Sequence, residues 1–141
     1  MNPITFIREK AKSNLRKVVL PEANDARVLE AGFRAARDNI AKIVFMGNIE
    51  QTRKSLLKFG KYDERMIEII DPGASDLLGT LAKDLCQKRN NKYPDEQSAK
   101  KVMLDNHVFF GAMMTAKDLA YGFVAGASHT TSDVARAAIH C

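Results

Sequence analysis

Apolar residues in this chain alternate between two rhythms. Short unbroken runs, read as buried strands, are separated by longer stretches with helical spacing. Ile4, Ile7, Ala11 and Leu15 recur every three or four residues, so 2–14 reads as an amphipathic helix. Val18, Val19 and Leu20 then form a strand-like run closed by Pro21. Asn24 and Asp25 suit the cap of a second helix with Val28, Leu29, Gly32, Phe33 and Ala36 on one face. The segment "AKIVFMGN" predicts a second strand ending at Gly47, and Asn48 can cap a third helix to about Phe59. "RMIEIIDPG" predicts a third strand broken by Asp71, Pro72 and Gly73. Ser75 can cap a fourth helix carrying Leu77, Leu78, Leu81 and Leu85.

The rhythm changes after that helix. Residues 88–106 are polar, with Pro94 suited to the first position of a short helix. "HVFFGAMMTAKD" is apolar with a helical tendency. "AYGFVAGAS" reads as a fourth strand ending in small residues, and "TSDVARAAIH" as a last helix. Strands of four to six residues alternating with helices predict an α/β fold: a mainly parallel sheet in a three-layer α/β/α arrangement. Ligands in such folds bind beyond the carboxyl ends of the strands. That directs attention to the loops at 21–24, 47–48, 71–75 and 126–132.

Composition narrows the function classes. The 141 residues are 45% hydrophobic, enough for one domain with a core. The net charge of +5 is spread along the chain, without the basic cluster interleaved with aromatics that nucleic acid demands. Attraction for a small polyanion fits that charge equally well. No apolar run resembles a secretory signal or reaches the roughly 18 residues of a membrane span. Cys86 and Cys141 have no metal-ligand spacing, so a cytoplasmic protein with reduced thiols is expected. His107, His129 and His140 also lack such spacing, and no metal site is expected. The first strand is followed by "PEANDAR", not by a Gly-rich dinucleotide loop, and no P-loop occurs.

The segment "GFVAGASHTTSDVARAAIHC" (122–141) holds most of the candidate chemistry. Gly122 and Gly126 permit close backbone approach. Thr130, Thr131 and Ser132 place three hydroxyls before a helix whose unpaired N–H groups suit a phosphate. With Ser132 as cap, Arg136 lies one turn on. The same residues also read as a plain capping box of Thr130 and Asp133, with Asp133 and Arg136 a surface pair. His129 admits both a general-base and a hydrogen-bonded structural reading. The cationic turn "QKRNNKYPDE" (87–96), with Lys88, Arg89 and Lys92, reads as a solvated helix end or as a clamp on a phosphorylated ligand.

Several segments together resemble the N-terminal portion of the phosphate acetyltransferase and phosphate acetyl/butyryl transferase family. "KVVLPEANDARVLEAG", "IAKIVFMGN", "IEIIDPGAS", "NHVFFGAMM" and "AYGFVAGASHTTSDVARAAI" occur in the family's order and spacing, and together they span nearly the whole chain. Tyr121, Ala125, Ala137 and Tyr93 stand where the family pattern has Asp, Ser, Pro and Gly. The resemblance implies a first domain like that of isocitrate and isopropylmalate dehydrogenases, incomplete here, with residues 1–141 a single partial domain. It implies acetyl transfer between coenzyme A and phosphate without a metal; acetyl-CoA and phosphate are substrates, and no cofactor is required. It places Arg136 and Arg89 in substrate binding, with Ser128, His129, Thr130, Thr131 and Ser132 lining the adjacent turn. It puts the catalytic residues beyond position 141, so the isolated chain is expected to be inactive or nearly so. A homodimer or association with a C-terminal half is expected. A folded, non-catalytic binding module derived from the same family is the alternative.

Overall fold

A computed structural model of the chain describes residues 2–141. Its elements run α1 (Pro3–Ser13), β1 (Lys17–Leu20), α2 (Ala26–Arg37), β2 (Lys42–Met46), α3 (Ile49–Leu57), β3 (Ile67–Ile70), α4 (Leu77–Lys88), α5 (Glu96–Asp105), α6 (His107–Ala116), β4 (Gly122–Phe123) and α7 (Thr131–His140). The four strands form one parallel sheet in the order β3-β2-β1-β4. Each crossover therefore carries at least one helix, as parallel pairing requires.

Strand alternation divides the core in two. Val19, Val44 and Met46 face a cluster built with Leu81 and Leu85 of α4, Met103 of α5, Phe109, Phe110 and Met113 of α6, and Ala137 of α7. Ile43, Phe45 and Ile67 point the other way, onto Leu29, Phe33 and Ala36 of α2 and Leu56 of α3. Apolar side chains on both faces of every central strand explain the unbroken apolar runs in the sequence. The result is the α/β/α layering expected. α6 is buried from Val108 to Met114, so its apolar residues surround the helix and form no single stripe.

Local chemistry sets most boundaries. Asp25 and Asn48 cap α2 and α3, each side chain accepting from the N–H of Arg27 and Gln51 respectively. α4 starts one residue later than a Ser75 cap implies. Asp76 holds the cap position without a side-chain bond, while the Ser75 hydroxyl accepts from the Leu77 N–H at 3.2 Å. Pro94 stands before the cap of α5, not inside the helix. Asp95 and Ser98 make a reciprocal capping box there. The described helices include none long and apolar enough to cross a membrane.

Two expected elements behave differently. The spacing of α1 predicts a stripe buried against the domain, yet α1 contains no buried residue. Ile4, Phe6 and Ile7 are 62%, 57% and 63% exposed. β4 is only two residues long, because the chain leaves the sheet after Phe123 for a loop that wraps a side chain of β1's exit.

One helix–sheet contact is tight enough to read as a constraint. A Cβ at Gly32 in α2 would lie 2.4 Å from Cζ of Phe45 and 2.8 Å from Cδ1 of Leu20. Phe45 is fully buried and has nowhere to retreat. Gly32→Ala gains about 1 kcal/mol of helix propensity but incurs overpacking of about 1–3 kcal/mol. A net loss of stability is expected, read as a lower urea midpoint with an unchanged m-value. A midpoint at or above wild type would show that α2 can lift from the sheet at little cost.

Candidate functional site

The loops after β1 and β4 meet at the carboxyl edge of the sheet, and a buried carboxylate joins them. Glu22 follows β1 and is 1% exposed. Its Oε1 accepts from the N–H groups of Gly126 (2.7 Å) and Ala127 (3.0 Å). Its Oε2 accepts from the Ser128 N–H (2.6 Å) and hydroxyl (2.8 Å), the His129 N–H (2.8 Å) and Nδ1 of His129 (2.9 Å). Four consecutive backbone donors around one carboxylate form an anion nest. Gly126 has φ +120°, a conformation that side chains disfavour, and this lets the loop turn its donors inward. Burial alone would push the Glu22 carboxyl up. Hydrogen bonds from His129, the Ser128 and Ala127 N–H groups and the Ser128 hydroxyl outweigh it and hold the pKa at about 2. Arg27 adds a second tie, bridging Asp25 (2.7 Å) and the Ala127 carbonyl (3.1 Å).

The sequence-based candidates fall into separate groups. The N–H groups of Ser128 and His129 are committed to Glu22. Thr130 is the N-cap of α7, its hydroxyl accepting from the Asp133 N–H at 3.2 Å, while Thr131 and Ser132 lie exposed in the first turn. Arg136 is half-exposed, and among the described residues it pairs with Asp133, at 3.6 Å. Arg89 stands at the far end of α7, where Nη2 donates to the Ile139 carbonyl at 2.6 Å. Lys88 donates to the carbonyl of Cys141. These cations meet the negative end of the helix dipole. The ten residues of α7, at 1.5 Å each, place its two ends roughly 15 Å apart.

Around that far end the cations converge. Tyr93 donates or accepts a 2.8 Å bond with Nδ1 of His140, and its ring meets His140 and Phe109 edge-on. Burial pushes the Tyr93 hydroxyl up, Cys141 adding to the rise, and Arg136 and Arg89 oppose both. Burial lowers His140, and Arg89, Lys92 and Arg136 lower it further. Arg89, Lys92 and Arg136 thus share one neighbourhood. Tyr93, a departure from the family pattern, anchors the turn to α7, and Ala137, another, is fully buried. Burial pushes the Cys141 thiol up to about 12, so it is a poor nucleophile.

A groove of about 600 Å³ opens between the β1–α2 and β2–α3 loops. Asn24, Asn48, Gln51, Lys58, His107 and His129 supply its polar wall. Burial lowers the pKa of His107; Asp71 opposes this and His129 adds to it. The sequence reading missed Glu22, taking "PEANDAR" only as a loop without glycines. The signal was available: an acid at the exit of one strand, and a small-residue loop at the exit of another, both at the ligand edge of a parallel sheet.

This framework now has counterparts. The family model described as phosphate acetyl/butaryl transferase matches residues 4–141, and the chain belongs to that family. A phosphate acetyltransferase of Thermoanaerobacterium thermosaccharolyticum is 38% identical over 138 residues, covering 98% of this chain and 41% of the relative. One from Staphylococcus epidermidis is 35% identical, covering 96% and 40%. Among solved structures, a phosphotransacetylase from Streptococcus pyogenes superposes with a TM-score of 0.88 at 31% identity, covering 97% of this chain and 41% of that one. The EutD phosphotransacetylase from Staphylococcus aureus gives 0.80, also at 31% identity, with 97% and 41% covered. The chain thus spans about two-fifths of the length of these relatives.

The buried carboxylate makes stability depend on acid. Glu22 has a folded pKa of about 2 against an ordinary 4.5. A depressed carboxylate contributes stability that is complete above the unfolded value and is lost as pH falls through the folded one. At roughly 1.4 kcal/mol per pKa unit the contribution is on the order of 3 kcal/mol. Wild-type stability should decline between pH 4.5 and about 2, and Glu22→Gln should be less stable at pH 7 by that order. Urea titrations across this range measure both. A variant as stable as wild type at pH 7 would remove Glu22 as the joint between the loops.

Proposed function

We propose that this chain supplies the first part of a phosphate acetyltransferase. In that reaction a phosphate oxygen attacks the thioester carbonyl of acetyl-CoA. The C–O bond forms, the C–S bond breaks, and the thiolate leaves and takes a proton. Coenzyme A is a substrate here and not a resident cofactor. The observation that carries the reading is the match across residues 4–141 to a family whose relatives are named for this activity. The cationic neighbourhood of Arg89, Lys92 and Arg136 supports it, since phosphate oxygens call for charged donors. In this reading Arg136 is the free donor. Arg89 divides its role between substrate and the end of α7. The remaining groups, a proton donor for the departing thiolate and donors for the oxyanion, come from a segment equivalent to the rest of the relatives, and the chain alone turns over little or nothing.

The uncovered Ile4, Phe6 and Ile7, with Tyr121, Val124 and Ile139, favour a second reading. Here the chain is a folded module that associates through these apolar positions without catalysing anything.

The two readings separate in one assay. The 141-residue chain is mixed with the remaining portion of the Thermoanaerobacterium thermosaccharolyticum relative, and coenzyme A-dependent formation of acetyl phosphate is followed. Turnover only in the mixture is expected; none, with both pieces folded and associated, favours the module. Arg136→Ala in the active mixture should raise the KM for phosphate or coenzyme A by about tenfold, one charge-assisted bond. Its fold should be almost unaffected, because the Asp133 pair is a solvent-exposed one. An unchanged KM would remove Arg136 from substrate binding.

A further inference from the structure

The far end of α7 concentrates positive charge around a partly buried histidine. Arg136 and His140 are four residues apart on α7, so they are neighbours on one helix face. The turn after α4 closes over the same spot. Nη2 of Arg89 donates to the Ile139 carbonyl at 2.6 Å and Nε to the His140 carbonyl at 3.4 Å, while Lys88 donates to the carbonyl of Cys141. Lys92 belongs to that turn, its N–H on the Arg89 carbonyl at 2.9 Å. Little negative charge among the described residues opposes these cations. Asp133 pairs with Arg136 across 3.6 Å, and Asp95 accepts from the Ser98 N–H at 2.7 Å. The Cys141 thiol, raised to about 12, is neutral. α6 contributes the uncharged ring of Phe109, 6.0 Å from that of His140. Lys88 and Arg89 already answer the helix dipole at this end. Like-charge repulsion therefore acts mainly on His140, the one member able to shed its charge near neutral pH. Burial, and then Arg89, Lys92 and Arg136, hold its pKa below the ordinary value.

Tyr93 lets the ring change charge without moving. Its hydroxyl lies 2.8 Å from Nδ1 of His140, and its own raised pKa keeps the hydrogen in place at neutral pH. A hydroxyl donates to a bare Nδ1 and accepts from a protonated one. The bond therefore survives in both charge states, while edge-on contacts with Tyr93 and Phe109 fix the ring. In the charged state Nε2 also carries a hydrogen and is a donor.

We propose that His140 is a further anion-binding residue of this chain, taking up a proton when an oxyanion binds among Arg89, Lys92 and Arg136. This role rests on the proposed reading of those three cations as an oxyanion site, and adds to it a fourth, proton-linked charge. The sign follows from electrostatics. A bound anion sets attraction against the repulsion on the imidazolium, and so favours the charged ring. Linkage makes the effect reciprocal: the factor by which protonation tightens the anion equals the factor by which the anion tightens the proton. An opposite charge within about 6 Å is worth roughly tenfold, a rise of about one in the His140 pKa.

Sulfate is the suitable probe, because its charge is constant between about pH 5 and 8, whereas inorganic phosphate gains a proton there. The His140 ring protons of the intact 141-residue chain are followed by NMR across that range, with sulfate or with chloride at equal ionic strength. Sulfate should raise the His140 pKa by about one and bind about tenfold more tightly at the acid end, with amide shifts at Arg89, Lys92 and Arg136. His140→Gln should hold the affinity at its alkaline value throughout. Sulfate that shifts those amides without moving the His140 pKa removes His140 from the site and leaves the three cations as an oxyanion site. No shift at those amides overturns both. An acid-side gain in affinity retained by a folded His140→Gln variant also overturns the role of His140.

Discussion

One carboxylate decides how the two halves of this chain meet. Glu22 sits at the exit of β1 and gathers the N–H groups of residues 126–129, about a hundred positions later in sequence. A buried charge without partners is costly, so the arrangement is close to all-or-none. Either the loop wraps the carboxylate or the carboxylate must leave the interior. β4 pairs with β1 over only two residues, too few to fix an edge strand alone. The carboxylate supplies the remaining constraint, and with it the starting point and direction of α7.

α7 is in turn the axis on which the candidate chemistry is arranged. Its amino end carries Thr130 and follows the loop that binds Glu22. Its carboxyl end is held by Arg89, with Tyr93 on His140. Arg136 lies between, exposed and lightly paired. Burial of Ala137 against α6 fixes which side of the helix faces outward, and so keeps Arg136 at the surface. Packing, not local propensity, makes Arg136 available.

The layered fold was legible because its signals are local. Val18–Leu20 and Lys42–Met46 are short apolar runs, and Asp25 and Asn48 are caps that act within three residues. The site was less legible because its central contact spans residues 22 and 126–129, and nothing periodic marks it. The sequence left the start of α7 open to either a phosphate or a plain capping box; the four N–H groups just before it, which the sequence reading did not single out, are occupied by the Glu22 carboxylate. The resemblance pointed to Arg89 and Arg136 but not to their difference: Arg89 is engaged with main-chain carbonyls, Arg136 is not. Tyr93 and Ala137 became interpretable only once their neighbours on α7 were visible.

The uncovered first helix has a thermodynamic consequence. α1 gains no burial from the sheet, so its stability rests on the Asn2 cap, Pro3 in the first turn and the Lys12–Glu9 pair. Eleven residues with those aids make a marginal helix in water. α1 is therefore expected to fray ahead of the sheet-centred core that begins at Lys17.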